Sequence, residues 1–188
     1  VGDFRVDDTP SGLRAADLDR VRAATDLTVA EIAHDLREIL TRTGHAAVDA
    51  ANRALLIGLL KENGVPPYGR QAVLRAMTAA GETVPVDVLA TCLAIPETSE
   101  GALAQLAATP GEASSRVLSL AVPVAGPELR CALLNALAQR REAAAIAPYV
   151  ADIEERVATA ALAGLGRIGD KTALAVLQKP VRPALEPV

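Results

Sequence analysis

The sequence predicts an all-α protein: a short α-solenoid, a right-handed superhelix of helix pairs, with an irregular helical cap at its N-terminal end. Three observations predict it. The chain of 188 residues is 51% hydrophobic but only 2% aromatic, so its apolar content is mainly Ala, Leu and Val, and Ala and Leu are strong helix formers. Apolar residues recur at helical spacing, and no segment shows the sustained alternation of β-branched residues that a strand would need. Breakers at Gly81, Pro85, Pro96, Pro110, Gly111, Pro123, Gly126, Pro127, Gly169 and Pro180 divide the chain into lengths suited to short helices.

The elements follow in order. Residues 1–12 form a polar arm ending in the turn-like Thr9-Pro10-Ser11-Gly12. Leu13, Leu18, Val21 and Ala24 mark a first helix. Thr28-Val-Ala-Glu31 has the form of a capping box, in which a hydroxyl and a carboxylate satisfy two free N–H groups. The helix it opens carries Ile32, Leu36, Ile39 and Leu40 on one face, and Gly44 is placed to end it. A longer helix over 46–62 is stopped by Asn63-Gly64-Val65-Pro66-Pro67. Shorter helices are predicted near 69–80, 85–94, 99–108, 112–122, 127–141, 143–150, 153–167 and 171–178. The organisation is an arm over 1–12, a cap over 13–65, repeats over 66–178 and a Pro-rich tail over 179–188, which reads as a linker.

The repeat becomes visible when the chain is laid over itself with Ala132 on Ala160. Leu134 then meets Leu162, Leu137 meets Leu165, Ile146 meets Leu174 and Tyr149 meets Leu177, while acidic Glu142 meets Asp170. A looser copy lies earlier, where Leu74, Met77, Glu82, Val86 and Leu89 have the spacing of Leu134, Leu137, Glu142, Ile146 and Tyr149. A faint one lies between, with Leu103 and Leu106 at the spacing of Leu134 and Leu137. A short helix pair cannot bury its apolar face alone, so stacking of about three or more repeats is the arrangement such a pattern supports.

The stretch Glu154–Leu174 has an Arg near the helix start, a small-residue run, Leu165-Gly166, then Gly169-Asp170 between helices and Ala173-Leu174 in the next. It resembles the short HEAT-like repeat family, of the type also called the phycobiliprotein-lyase HEAT-like repeat. The preceding unit departs from the pattern, with Arg140-Arg141-Glu142 where Ile-Gly-Asp would stand. The resemblance implies a helical scaffold. Some family relatives are iron-dependent hydroxylases that use His-Glu dipeptides, and this chain has none. Others are DNA glycosylases that need a basic groove and aromatic residues. The bilin lyases share the repeat, but no catalytic residue of theirs can be matched here, and a lyase-like enzyme is kept only as a remote alternative.

Charge and composition narrow the function classes. The net charge is −4, and phosphate recognition requires a clustered basic surface, so no nucleic-acid partner is expected. An acidic excess before Lys61, with Asp3, Asp7, Asp8, Asp17, Asp19, Asp26 and Asp35, reads as solvated surface. Cys92 and Cys131 lie in apolar helical contexts and read as buried free thiols, with a disulfide as the alternative. The longest apolar stretch, Ala54–Leu60, is far shorter than the roughly 18 residues of a membrane span, so no membrane insertion is expected. The chain begins at Val1 without Met, which reads as a trimmed chain or a mature product. A removed signal peptide would leave no trace, and a cytoplasmic location is the default expectation.

The reactive groups do not assemble into a known catalytic pattern. Glu31-Ile-Ala-His34 is one Glu-x-x-His pair where a carboxylate-bridged di-metal bundle uses two with further carboxylates. The other histidine, His45, has no matching Glu, so no metal and no cofactor are expected. Ser114, Ser115, Thr41 and Thr43 are hydroxyls with no His/Asp set in sequence to activate them. Gly164-Leu-Gly166-Arg-Ile-Gly169 imitates a dinucleotide fingerprint but does not follow a strand, so its glycines are assigned to close helix packing and a helix end. The expected function is therefore a non-catalytic protein–protein interaction or scaffold module. Arg70, Arg75, Arg130, Asn135, Gln139, Arg156 and Arg167 are the candidate partner-binding residues, facing an acidic or extended protein segment. The alternative is an accessory or regulatory domain of a larger enzyme or membrane-associated protein.

Overall fold

The computed structural model describes residues 12–42 and 46–178. The arm, the helix stop at Gly44, Thr43, His45 and the Pro-rich tail all lie outside the described residues, apart from Gly12. Among the described residues the protein is all-α. The helices are α1 Ala15–Arg22, α2 Val29–Arg42, α3 Ala46–Lys61, α4 Pro67–Ala79, α5 Val86–Leu93, α6 Pro96–Ala108, α7 Glu112–Ala121, α8 Pro127–Gln139, α9 Ala143–Ile146, α10 Glu155–Ile168 and α11 Lys171–Leu177.

Local chemistry explains where these helices begin and end. Pro67, Pro96 and Pro127 occupy the first positions of α4, α6 and α8. Proline has the helical φ already set and lacks an N–H that would go unused there. The Pro66-Pro67 pair that ends one helix thus also opens the next, and α4 and α6 start earlier than the spacing of apolar residues alone predicts. The capping box at Thr28 and Glu31 is not made. The Thr28 hydroxyl accepts the Thr25 N–H at 2.9 Å instead, and the Glu31 carboxylate takes the Arg20 guanidinium at 2.8 Å. The carboxylate half of such a box occurs one helix earlier, where Asp17 accepts the Arg14 N–H at 3.0 Å. The Arg14 guanidinium on the same carboxylate holds Asp17 below its usual pKa. The predicted helix over 143–150 breaks after Ile146 into a 3₁₀ turn, Ala147–Tyr149, because Pro148 supplies no α-helical donor.

The chain divides into two compact units, one ending at Gln105 and one beginning at Leu106, so the division falls within α6. The first unit has its most extensive packing between α2 and α4, with α3 against α4 and α5. Its core joins Leu36, Leu56, Leu60, Leu74, Met77 and Leu89, all essentially inaccessible to solvent. Burial of each such side chain contributes about 1.5–3 kcal/mol. Gly69 sets the approach of α4 to α1, since a Cβ there would collide with the Val21 carbonyl oxygen. Gln105 ties α6 to the turn after α4 by accepting the Val84 N–H at 3.1 Å and donating to the Thr78 hydroxyl at 2.7 Å.

The second unit has its most extensive packing between α8 and α10, with α9 against both and α11 against α9 and α10. Arg156 meets Glu128 near the two N-termini, and Arg167 meets Asn135 farther along, so α8 and α10 run parallel. Gly164 allows the contact, because a Cβ would sit 3.2 Å from the Ala138 Cβ. Leu118, Leu133, Leu134, Leu137, Ile146 and Leu165 fill the core.

The ends of α4, α8 and α10 share a backbone device. Gly81, Arg141 and Gly169 have φ of 74°, 63° and 60°, the left-handed conformation that closes a helix. The Glu82 N–H reaches back to the Met77 carbonyl at 2.9 Å, and the Glu142 N–H to the Leu137 carbonyl at 3.0 Å, the same ring at the same register. In α10 the Gly169 N–H closes on Leu165 at 3.0 Å. The sequence recurrences that lay Met77 on Leu137 and Leu137 on Leu165 therefore coincide with equivalent helix ends.

Candidate interaction surface

Of the seven candidate residues, Arg70 and Arg75 belong to the first unit, and Arg130, Asn135, Gln139, Arg156 and Arg167 to the second. Within the second unit the parallel packing of α8 and α10 sets Asn135, Arg156 and Arg167 on exposed positions, joined across the helix seam. Arg156 Nη1 donates to Glu128 Oε1 at 2.7 Å and Arg167 Nη2 to Asn135 Oδ1 at 2.7 Å. Gln139 is exposed in the last turn of α8. The backbone N–H at the start of α8 holds the Glu128 carboxylate below its usual pKa, and Arg156 beside it adds to the effect.

Arg130 does not share this exposed row. Its guanidinium is turned into the turn before α10, donating to Asp152 at 3.0 Å and to the Ala125 carbonyl at 3.2 Å, with the side chain 20% exposed. Its work is to join two inter-helix turns. Arg70 is similarly engaged, donating to the Glu62 carbonyl at 2.8 Å. Arg75 is exposed and lines a cleft between α4 and α6 together with Glu97 and Glu100.

Two arginines that the sequence pattern registers only as a departure carry much of the second unit's polar organisation. Arg140 Nε donates to the Ser115 hydroxyl at 2.8 Å, and its Nη atoms donate to the carbonyls of Thr109 at 2.6 Å and Gly111 at 2.5 Å, with longer reaches to Leu106 and Ala107. It caps the orphan carbonyls at the end of α6. Arg141 donates to the Ile168 carbonyl at 3.2 Å, the end of α10. The signal for both is the replacement of Ile168-Gly169 by Arg140-Arg141 when the two units are laid over one another.

The remaining reactive groups are spread over separate helices. Cys92 and Cys131 are free thiols; Cys92 is buried, which pushes its pKa up, and Cys131 is half-buried with its sulfur 3.6 Å from the Arg156 carbonyl. Ser114 is fully buried and Ser115 is the acceptor for Arg140. His34 is exposed on α2 in a groove whose charges are cross-paired, with Arg20 bridging Glu31 and Asp35. Among the described residues no group of three or more His, Cys, Asp or Glu side chains is arranged to hold a metal ion, and no helix is long and apolar enough to cross a membrane. Of the three fingerprint-like glycines, Gly164 serves packing and Gly169 the helix end, while Gly166 faces open space. Comparison with protein-family models, with curated proteins and with solved structures returned no match.

Proposed function

We propose that this chain is a non-catalytic protein–protein interaction module, a short HEAT-like solenoid whose α8–α10 face holds an extended, acidic segment of a protein partner. The observation that carries the reading is the exposed row Asn135, Gln139, Arg156 and Arg167 across two parallel helices. Recurrent left-handed helix ends at Gly81, Arg141 and Gly169 support a repeat architecture, and stacked repeats present extended surfaces of this kind. The HEAT-like pattern over Glu154–Leu174 points the same way.

The row suits a carboxylate-bearing partner. Arg167 is held by a neutral amide rather than by an acid, and the Arg156–Glu128 pair is well exposed. Exposed ion pairs contribute about 0–1 kcal/mol, so a partner carboxylate making a bidentate contact can displace either at little cost. Arg130 is omitted from the surface because its guanidinium is turned away from the row, onto Asp152 and Ala125.

The test is quantitative affinity purification with the parent chain and with the double variant Arg156→Glu/Arg167→Glu. Arg116→Glu, an exposed charge reversal on α7, is the control. The double variant should lose a partner that the control retains. Equal recovery of the same partners by all three proteins would remove the α8–α10 face from consideration.

A further inference from the structure

The unit ending at Gln105 contains a cleft of about 250 Å³ between α4 and α6, with Arg75 and Gln71 from α4 and Glu97 and Glu100 from α6 lining it around Leu74 and Gly101. Among the described residues its charges have no hydrogen-bond or ion-pair partner. Among the described residues every arginine other than Arg75 and Arg116 reaches a carboxylate, an amide, a hydroxyl or a backbone carbonyl, as with Arg20, Arg37, Arg42, Arg53 and Arg70. Glu97 and Glu100 likewise make no ion pair there, although Arg75 lines the same cleft. One cation and two anions are thus left facing a shared space.

The floor of the cleft is apolar and close-packed. A Cβ on Gly101 would lie 3.1 Å from Leu74 Cδ2, so the glycine brings α6 into contact with α4 and leaves room above. Glu97 is in the first turn of α6.

We propose that this cleft binds a basic α-amino acid, lysine or arginine. The α-carboxylate would sit on Arg75, the α-ammonium and the side-chain cation on Glu97 and Glu100, and the methylenes on Leu74 and Gly101. Two positive groups and one negative group on the ligand complement one positive and two negative groups on the protein. A charge-assisted contact is about twice as strong as a neutral hydrogen bond. The cleft lies somewhat below the usual range of about 300–1,000 Å³ for drug-sized ligands, which matches a single amino acid. This site is separate from the α8–α10 face and does not depend on the reading given to it.

Titration of the ¹⁵N-labelled full chain with L-lysine tests the proposal, read at the Gly101 and Ala104 amides. Saturable shifts in the millimolar range are expected. Nα-acetyl-L-lysine methylamide, which lacks both α charges, should bind about tenfold more weakly. Arg75→Gln and Glu100→Gln should each weaken L-lysine by a similar factor while keeping the parent far-UV spectrum. L-glutamate should leave the two amides unshifted. Absence of saturation, an equal response to the acetylated amide or to L-glutamate, or unchanged binding by both variants would overturn the assignment. Equal binding of the amide would mean that the cleft takes a basic side chain of a protein.

Discussion

The turns after α8 and after α10 occupy equivalent places in the second unit, yet they are held by different means. After α10, Ile168 buries its side chain, Gly169 takes the left-handed conformation without a Cβ penalty, and Asp170 caps α11 by accepting the Ala173 N–H at 2.8 Å. After α8 the same three places hold Arg140, Arg141 and Glu142. Arg140 replaces a buried aliphatic contact by hydrogen bonds to the end of α6, and Arg141 accepts a strained φ of 63° while donating to Ile168. Glu142 caps nothing with its side chain. A left-handed helix end is thus reached through apolar burial and glycine in one turn, and through guanidinium–carbonyl bonding in the other.

If the comparison is right, the largest effect belongs to Arg140. Arg140→Ala removes donors to Ser115, Thr109 and Gly111 at once. Hydrogen bonds to a charged group contribute about 1.5–3 kcal/mol, and the carbonyls left without partners add a desolvation cost. A loss of about 3 kcal/mol is expected in urea unfolding followed by far-UV circular dichroism. Arg140→Lys should recover little of it, because a single ammonium cannot span the same fork of acceptors. A loss below about 1 kcal/mol for the Ala variant would show that the carbonyls find water instead.

The second effect turns on the sign at the left-handed position. Gly81→Ala and Gly169→Ala should each cost about 1–2 kcal/mol, because a Cβ at positive φ meets the following carbonyl. Arg141→Gly relieves the same strain and loses one bond to Ile168, so it should fall within about 0.5 kcal/mol of the parent. A large loss in Arg141→Gly would mean that its guanidinium, rather than the backbone, decides the turn.

Much of this is legible in the sequence, and the reason differs from element to element. Pro and Gly impose their own backbone angles, so the helices from α4 onward, α9 apart, fall close to their expected places, and the apolar recurrences meet equivalent helix ends. Where a side chain has a choice, the pattern misleads. Thr28 has the composition of a cap, but the nearby Thr25 N–H competes for its hydroxyl. Glu31 has an arginine in reach on another helix. The seven candidate residues stand out by residue type and helix face, yet an arginine reaches several ångströms from its own backbone. Whether it faces solvent, as Arg75 does, or a neighbouring turn, as Arg130 does, depends on where the next helix ends. That information is tertiary, and the same holds for Glu97 and Glu100 opposite Arg75.

The acidic position between the paired helices shows the third and smaller pair of effects. Asp170→Ala should cost about 1 kcal/mol, the ordinary value of an N-cap, whereas Glu142→Ala should change stability by less than about 0.5 kcal/mol. Thermal or urea unfolding of the two variants side by side reads the difference, and equal losses would mean that the two acids do the same work.

The equivalent acid after α4, Glu82, does something else again: both its oxygens hold the Arg53 guanidinium of α3, with Nη2 to Oε1 at 2.9 Å and Nε to Oε2 as the second arm. The Arg53 hydrogen bond lowers the Glu82 pKa against the opposing pull of burial. A folded-state pKa below the unfolded one means that the pair stabilises the fold above the ordinary glutamate value of about 4.3. That contribution is lost as pH falls through the lowered folded-state value. The arginine side chain is 38% exposed and the glutamate 20%, so the contribution is kept to at most about 1 kcal/mol. Glu82→Gln should therefore unfold slightly more easily than the parent at pH 7 and match it once the acid is protonated. A Glu82→Gln difference that persists undiminished at low pH would assign the residue's effect to shape rather than to charge, and would remove the one electrostatic distinction among the three equivalent turns.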